Sequence, residues 1–464
     1  HRDLHSFPTR RSSDLVEKSD GTELPLGELD YGGILAAGPT SNYQPILARA
    51  TDLRSASVEN ADGSYTYTFA TPIPSTYLPP LNDSASFGLG DGELQGQPLL
   101  PGTYTVGIEA YKNYTVEGAG YRDAGNATSD FLLGIATALS HREVVKVENC
   151  NQCHVELRAH GAFRRDLTHC LLCHYTGAED RNTSSAAGGT PGVTIDFKAM
   201  IHKIHNGAHL PSVLGVATNS NGTRDYSATP VPYKLVGNNN NVYDFSHVAF
   251  PVWPNLTNPM PRDTGYSGLT NDQKAQEDAI RGGEATCEKC HGDPDGSGPL
   301  AAPAQGGQAY SNPTRLACGS CHDDIAWTRP YTSNLLTMPA QADDSGCLAC
   351  HPASGAVLGT RESHLHPLLD PAVNGGLVFN IISVTDAGSG TLNGKIDPGE
   401  KIQVEFTIKD GLGVDVAPAT LARLSVVVAG PTTNSQLPLN MDNAFPTAAL
   451  ASSTVTPNLH DELS

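Results

Sequence analysis

The chain has 464 residues, of which 47 are Gly and 33 are Pro, and only 6% are aromatic. This length predicts about two to four domains, and the composition predicts many turns and strands with little continuous helix. The net charge of −20 argues against nucleic acid as a partner, because phosphate groups would be repelled.

Residues 1–15, HRDLHSFPTRRSSDL, resemble a translated sequencing adaptor, so they are excluded from the fold prediction as an artefact. We therefore expect the rest to be a fragment of a longer protein, with any export signal or lipid anchor missing. No run of residues approaches the roughly 18 apolar positions that a membrane-spanning helix needs.

Residues 16–140 are predicted to form an N-terminal β domain, a sandwich or a barrel. Side chains alternate as in half-buried strands over 64–69 and 103–111, and Gly and Pro clusters separate such stretches. The segment contains neither His nor Cys, which favours a supporting or docking role over chemistry.

All ten cysteines lie in five Cys-x-x-Cys-His motifs. Two thiols one helical turn apart can add to the two vinyl groups of one haem, and the following imidazole can then bind its iron. Zinc ribbons also use Cys-x-x-Cys pairs, but zinc gives no reason for a histidine after every pair. The sequence thus predicts five covalently bound c-type haems, attached at Cys150, Cys153, His154, Cys170, Cys173, His174, Cys287, Cys290, His291, Cys318, Cys321, His322, Cys347, Cys350 and His351.

The motifs fall within residues 141–370, which we predict to be a pentahaem cytochrome domain. The stretches between them are rich in Gly, Pro, Asn and Ser, so the porphyrins themselves are expected to form much of the packed interior. Short helices are predicted over 196–207, with Asp196 as N-cap and Gly207 as the stop, and near 271–281. Haem attachment takes place outside the cytoplasm, which predicts export.

A second axial ligand decides whether a haem iron can bind substrate. His202 and His205, three residues apart on the predicted helix, are expected to cap two adjacent haems. His160 is expected to ligate a neighbouring haem, as is one of His364 and His366, with His247 and His209 in reserve. Met338 is either a packing residue or a distal ligand that would raise a haem's potential. We expect surface or supporting roles for His141, His169 and His460.

Residues 371–464 are predicted to form a second β domain that is cut short. Strands are expected over 377–384, 401–409 and 424–428. The loop 386–400 carries spaced oxygen donors that could hold Ca²⁺, but a plain polar hairpin is also compatible with its spacing, which departs from that of an EF-hand.

Several of these motifs resemble the outer-surface decahaem cytochromes of the OmcA/MtrC type. The resemblance is most specific over 142–207, where REVV leads into CNQCH, HG and CLLCH, and then into DFK and IHKIH. Later stretches, DFS at 244–246, CHDD at 321–324 and QADDS before Cys347, are also similar. This family tends to carry a histidine before the fifth motif; here that histidine is absent and Met338 lies nearby.

The resemblance implies two halves, each a β domain followed by five haems, of which this chain would contain the first half and the opening of the second. It implies electron transfer on the outer cell surface to Fe(III) or Mn(IV) oxides or soluble shuttles, with an outer-membrane porin-cytochrome partner or other cytochromes supplying electrons. The alternative is a multihaem reductase of a small nitrogen or sulfur oxyanion, which would need an iron with an open position.

Overall fold

The structure, a computed structural model, describes residues 24–79, 84–180, 189–237, 240–250, 260–283, 287–292, 302–355, 358–370, 373–387, 393–433, 436–441 and 454–455. The chain divides into two compact units, residues 1–364 and 365–464. Both are rich in sheet and contain few helices longer than two turns. The predicted fold class, a multidomain chain with β domains flanking a loop-rich haem region, is confirmed, while the boundaries at 140 and 370 stay predictions.

An antiparallel sheet with the strand order β2-β1-β5-β6 organises the first part of the chain. Its two longest strands, β5 and β6, pair over 15 residues each, so the strand predicted at 103–111 is confirmed. The strand predicted at 64–69 shortens to two residues, because only Tyr65–Thr66 finds a partner. Within the described residues this sheet is open and does not close into a barrel. Its strands are β1 (Tyr31–Ala37), β2 (Pro45–Ala50), β5 (Gly102–Val116) and β6 (Ala119–Leu133). Between β2 and β5 in the sequence lie α1 (Leu53–Ala56) and a separate two-stranded ribbon of β3 (Val58–Glu59) and β4 (Tyr65–Thr66).

One face of this sheet covers a small apolar core. Tyr77 and Tyr104 are fully buried beside Ile46 and Leu47. Their hydroxyl oxygens lie 3.1 Å apart, and Tyr104 donates to the carbonyl of Leu100 at 2.7 Å, so the polar ends of both rings are satisfied.

The remainder of the first unit consists of short helices and two-stranded ribbons joined by loops. The predicted helix at 196–207 is confirmed as α4: Asp196 accepts from the backbone N–H groups of Lys198 and Ala199, and the helix ends at His205, before Gly207. The helix predicted near 271–281 is confirmed as α5. The elements are α2 (Val147–His154), α3 (Leu167–Leu171), α4 (Phe197–His205), β7 (Ala217–Thr218), β8 (Arg224–Asp225), β9 (Lys234–Val236), β10 (Val242–Asp244), α5 (Asn271–Arg281), α6 (Glu288–His291), α7 (Gln308–Ser311), α8 (Arg315–Cys318), β11 (Tyr331–Ser333), β12 (Leu336–Met338), α9 (Cys347–Cys350) and α10 (Thr360–His364).

The second unit has its own core. Alternate residues of its central strand, from Ile402 to Ile408, are buried, as the period of two predicts for a strand with one covered face. All three predicted strands are present, with ends shifted by one or two residues. They are β13 (Val378–Asp386), β14 (Ile402–Lys409) and β15 (Val426–Gly430), joined by β16 (Gln436–Met441) and β17 (Thr454–Val455) in the orders β13-β14-β17 and β15-β16.

A buried carboxylate joins the first sheet to the haem region. Glu109 on β5 is fully buried, and its oxygens accept from Arg164 Nε at 2.6 Å, His169 Nε2 at 2.9 Å and Tyr31 OH at 2.8 Å. Burial alone would raise the pKa of Glu109, but the hydrogen bonds from His169 and Arg164 outweigh it and hold that pKa well below its usual value. Beside it, a Cβ on Gly107 would overlap Leu172 and lie 2.8 Å from His169 Nδ1, so the haem segment packs directly on the strand.

We expect Glu109→Ala to lower the free energy of unfolding by about 3–5 kcal/mol at pH 7, because it leaves the Arg164 guanidinium buried without its partner. Urea unfolding followed by circular dichroism checks this. Glu28→Ala is the control: Glu28 pairs with Lys112 at an exposed site, where the loss should be at most about 1 kcal/mol.

The stabilisation that Glu109 provides should depend on pH in a defined direction. A carboxylate whose pKa is depressed in the folded state stabilises that state above its unfolded pKa of about 4.3, and the stabilisation fades as the pH falls further. The difference in the free energy of unfolding between wild type and Glu109→Ala should therefore become smaller below about pH 4. A gap that is independent of pH would show that Glu109 acts through packing alone.

Candidate haem-binding site

Four of the five motif histidines face a second histidine across a nearly constant gap. Ring centroids lie 6.1 Å apart in His154–His205, 5.9 Å in His160–His174, 6.2 Å in His202–His291 and 6.2 Å in His322–His364. Each pair joins one motif histidine to one histidine outside the motifs, although the paired residues lie between 14 and 89 positions apart.

This spacing is the one that an intervening metal ion requires. An imidazole nitrogen binds a first-row metal ion at about 2 Å, and the ring centre lies about 1 Å further away, so two rings on opposite sides of one ion have centroids about 6 Å apart. Direct stacking would bring the rings closer. The geometry therefore fits two axial imidazoles on each of four haem irons.

Hydrogen bonds at the other ring nitrogen orient these imidazoles. In four of the paired rings Nδ1 donates to a backbone carbonyl: to Ile195 at 2.8 Å from His174, to Ile201 at 2.8 Å from His205, to Val144 at 3.3 Å from His291, and to Thr360 at 2.6 Å from His364. A carbonyl cannot donate, so the proton resides on Nδ1 and Nε2 keeps its lone pair for a metal.

The electrostatics favour the same protonation state. Burial lowers the pKa of His202 and of His322 to about 4. It also lowers the pKa of His174 and His291. These rings are therefore neutral at pH 7, and neutral imidazole is the form that binds a metal ion.

Helix α4 brings distal histidines to two motifs at once. His202 and His205 lie on successive turns and face His291 of the third motif and His154 of the first. At its start, the backbone N–H of Phe197 donates to the carbonyl of His174 in the second motif at 3.0 Å. Three motifs thus converge on a helix of nine residues.

Polar contacts also join the motifs to one another. Buried Asn149, within α2 of the first motif, donates to the carbonyl of Cys290 in the third at 3.0 Å. Arg315 Nε, at the start of the helix that carries Cys318, lies 3.0 Å from Asp344 Oδ1, shortly before Cys347 of the fifth motif. The attachment motifs are therefore held against each other through the protein as well as through any bound haem.

The other candidate ligands are placed differently. His247 is exposed after β10, and Met338 is partly buried on β12. His209 Nδ1 lies 2.6 Å from the carbonyl of Ala279, an arrangement that leaves its Nε2 available. His366 is in the second unit, where its Nδ1 accepts from the backbone N–H of Leu368 at 3.1 Å, which leaves the ring proton on Nε2.

Two histidines expected to have supporting roles contact carboxylates. His141 Nδ1 lies 2.9 Å from Asp130, and the fully buried His169 contacts Glu109. His460 and residues 388–392 of the candidate calcium loop lie outside the described residues. Within the described ranges, no group of three or more His, Cys, Asp or Glu side chains is arranged to hold a metal ion.

Sequence reasoning did not find the polar residues that support the ligands. Glu109 reads as one more residue in an alternating strand, and Ser320 and Asp323 read as ordinary positions in and after the fourth motif. An acidic residue at a position facing inward on β5 was the only available signal for Glu109.

Comparisons with known proteins identify relatives of this chain. Residues 142–365 match the family described as outer membrane cytochrome MtrC/MtrF-like, domains II/IV. A multiheme cytochrome MtrC from Shewanella baltica (strain OS185) is 25% identical over 188 residues, which make up 39% of this chain and 24% of that protein. The segment that contains the five motifs therefore belongs to this family of MtrC/MtrF-like outer membrane cytochromes. The family implies covalently bound c-type haem, for which the Cys-x-x-Cys-His motifs are the predicted attachment sites.

Two solved structures are similar at 17% identity and a TM-score of 0.44 each. The outer membrane decaheme cytochrome OmcA is matched over 90% of this chain and 53% of its own, and MtrC from Shewanella baltica OS185 over 96% and 55%. The chain therefore spans about a quarter of the curated relative and about half of these two structures. None of the helices in the described parts is both long and apolar enough to cross a membrane.

We expect His205→Ala to convert one haem from low spin to high spin, because it removes one axial nitrogen and leaves Cys150 and Cys153 in place. Absorbance and electron paramagnetic resonance spectra of the matured protein check this, and its mass should be unchanged apart from the substitution. His141→Ala is the matched control and should leave both spectra as they are. A wholly low-spin His205→Ala protein would remove His205 from the ligand set.

Proposed function

We propose that this chain is an electron conduit that holds five c-type haems and passes electrons between them. The main support for this proposal is the set of four imidazole pairs. Each pair is spaced for one metal ion, and each contains one motif histidine. When bound, haem supplies a one-electron iron couple whose potential is set by its axial ligands and by their hydrogen bonds.

The pairs favour a conduit over a reductase. An iron that binds two protein imidazoles has no open position for nitrite, hydroxylamine or a sulfur oxyanion. A reductase would also need acid or base groups beside such an open position. Four of the paired rings instead use their second nitrogen for backbone carbonyls, which fixes the rings and moves no proton.

The fifth motif requires a different distal ligand. His351 belongs to none of the four ring pairs, and the histidine that the family tends to carry before the fifth motif is absent, while Met338 lies nearby in the sequence. We propose Met338 as the distal ligand of the fifth haem; a methionine that only packs remains the competing prediction, with His247 as an alternative ligand. Methionine in place of histidine raises a haem's potential, so the fifth haem would be the most oxidising of the five.

The wider role follows from the family. We propose an exported protein at the outer-membrane surface that receives electrons from a porin-cytochrome partner or from other cytochromes. Its acceptors would be extracellular, either Fe(III) or Mn(IV) oxides or soluble shuttles. The net charge of −20 would favour cationic or positively charged acceptor surfaces. A Ca²⁺ ion at the loop 386–400 remains a prediction of the sequence.

The count of five haems is tested by the intact mass of the chain expressed with a cytochrome maturation system. We expect the polypeptide mass plus five haems, and a fully low-spin spectrum at pH 7. The matched control is Cys347→Ala/Cys350→Ala, which should lose one haem. Fewer haems in the wild type would overturn the count, and a high-spin fraction that binds nitrite or hydroxylamine would favour the reductase.

Replacing Met338 distinguishes between its two possible roles, haem ligation and packing. If its sulfur ligates, Met338→His should keep the fifth haem low-spin and lower its potential, since imidazole donates more strongly to Fe(III) than a thioether does. Met338→Ala should turn one haem high-spin. Met260→Ala is the control. Potentials and spectra that do not change in either Met338 variant would assign Met338 to packing.

A further inference from the structure

We propose that Ser320, which lies inside the fourth attachment motif, is a positioning residue that sets the ring orientation and the reduction potential at the third haem. The inference rests on the proposed haem ligation by His202 and His291. Haem attachment uses only the two cysteines and the histidine of a Cys-x-x-Cys-His motif. The proposal therefore assigns a role to one of the two variable residues between the cysteines.

The hydrogen-bond directions around Ser320 are determined by counting protons. Its hydroxyl donates to the carbonyl of Ala317 at 2.5 Å, and a serine has only one proton to give. Its second contact, to His202 Nδ1 at 3.2 Å, must therefore be accepted from the ring. Nδ1 carries the proton, and Nε2 of His202 is left for the iron of the third haem.

Ser320 is well placed for this role. It is only 1% exposed, so water does not compete for the ring N–H. Because its own proton is already committed to Ala317, the hydroxyl oxygen is polarised and becomes a better acceptor. Such an acceptor makes a metal-bound imidazole more basic, and a more basic ligand stabilises Fe(III) over Fe(II).

His202 differs in this respect from four other paired rings. His174, His205, His291 and His364 donate Nδ1–H to backbone carbonyls, which no substitution removes. The partner of His202 is a side chain, and its distance of 3.2 Å is longer than three of those four bonds. The supporting hydrogen bond of His202 is thus encoded by a single side chain, whereas those of the other four rings, His291 included, follow from the backbone.

The same residue links two haem sites. Ser320 lies between Cys318 and Cys321, so its position is fixed by attachment of the fourth haem. A second link lies nearby, where Lys203, next to His202, forms an ion pair with Asp323 at 2.7 Å, directly after His322. Attachment of the fourth haem therefore positions the ligand of the third.

The test uses the full, matured chain and the variant Ser320→Ala. We expect five haems by mass and a low-spin spectrum, with the potential of one haem shifted to more positive values. That haem should also show altered electron paramagnetic resonance, since the signal of a bis-imidazole haem depends on the angle between its rings, 39° for His202 and His291. Ser320→Thr keeps the hydroxyl and should restore both readouts.

Two control variants identify the affected haem and distinguish a failure of the Ser320 proposal from a failure of the proposed haem ligation. His202→Ala should turn the third haem high-spin and so mark its signal. Ser345→Ala removes an exposed hydroxyl that bonds Asp343, close to the fifth motif, and should change nothing. Unchanged potentials in Ser320→Ala, or a shift confined to the fourth haem, would overturn the role of Ser320. An unchanged spectrum in His202→Ala would instead overturn the ligand assignment.

Discussion

The arrangement depends on helix α4 holding its histidines at fixed positions relative to the attachment motifs. Asp196 caps its first turn, and His202 and His205 project from successive turns towards the third and first motifs. A short isolated helix is marginal in water, so this one depends on its cap and on its contacts. Loss of α4 would remove the two histidines that we propose as axial ligands, together with the Lys203–Asp323 ion pair.

The N-terminal sheet contacts the segment that leads into the second motif. The fully buried Glu109 fixes Arg164 and His169, which lie between His160 and Cys170. These contacts hold in place the segment that contains both His160, a proposed distal ligand, and Cys170, a predicted haem-attachment residue. Residues 16–140 contain neither histidine nor cysteine, yet they help to position residues close to the second motif. This is the kind of supporting role that the sequence predicts for them.

The polar residues around the ligands control the chemistry that the site can perform. Two imidazoles at each of four sites would leave their irons without a substrate position, so any difference between these sites must arise from hydrogen bonds and burial. Backbone carbonyls serve four of the rings, and Ser320 serves His202. Met338 would add a change of ligand type at the fifth site, and the conduit would then contain haems of different potential.

The sequence alone determined the attachment chemistry, because Cys-x-x-Cys-His is a local pattern in which one helical turn sets the spacing of thiols and imidazole. It also determined α4 and the alternation of β5 and β14, since caps and periodicity are local too. It could not determine which distal histidine faces which motif: His364 faces His322, while His202 faces His291 across 89 positions. Those pairings, and the contacts of Glu109 and Ser320, depend on how loops without a regular period fold back, which only the tertiary structure decides.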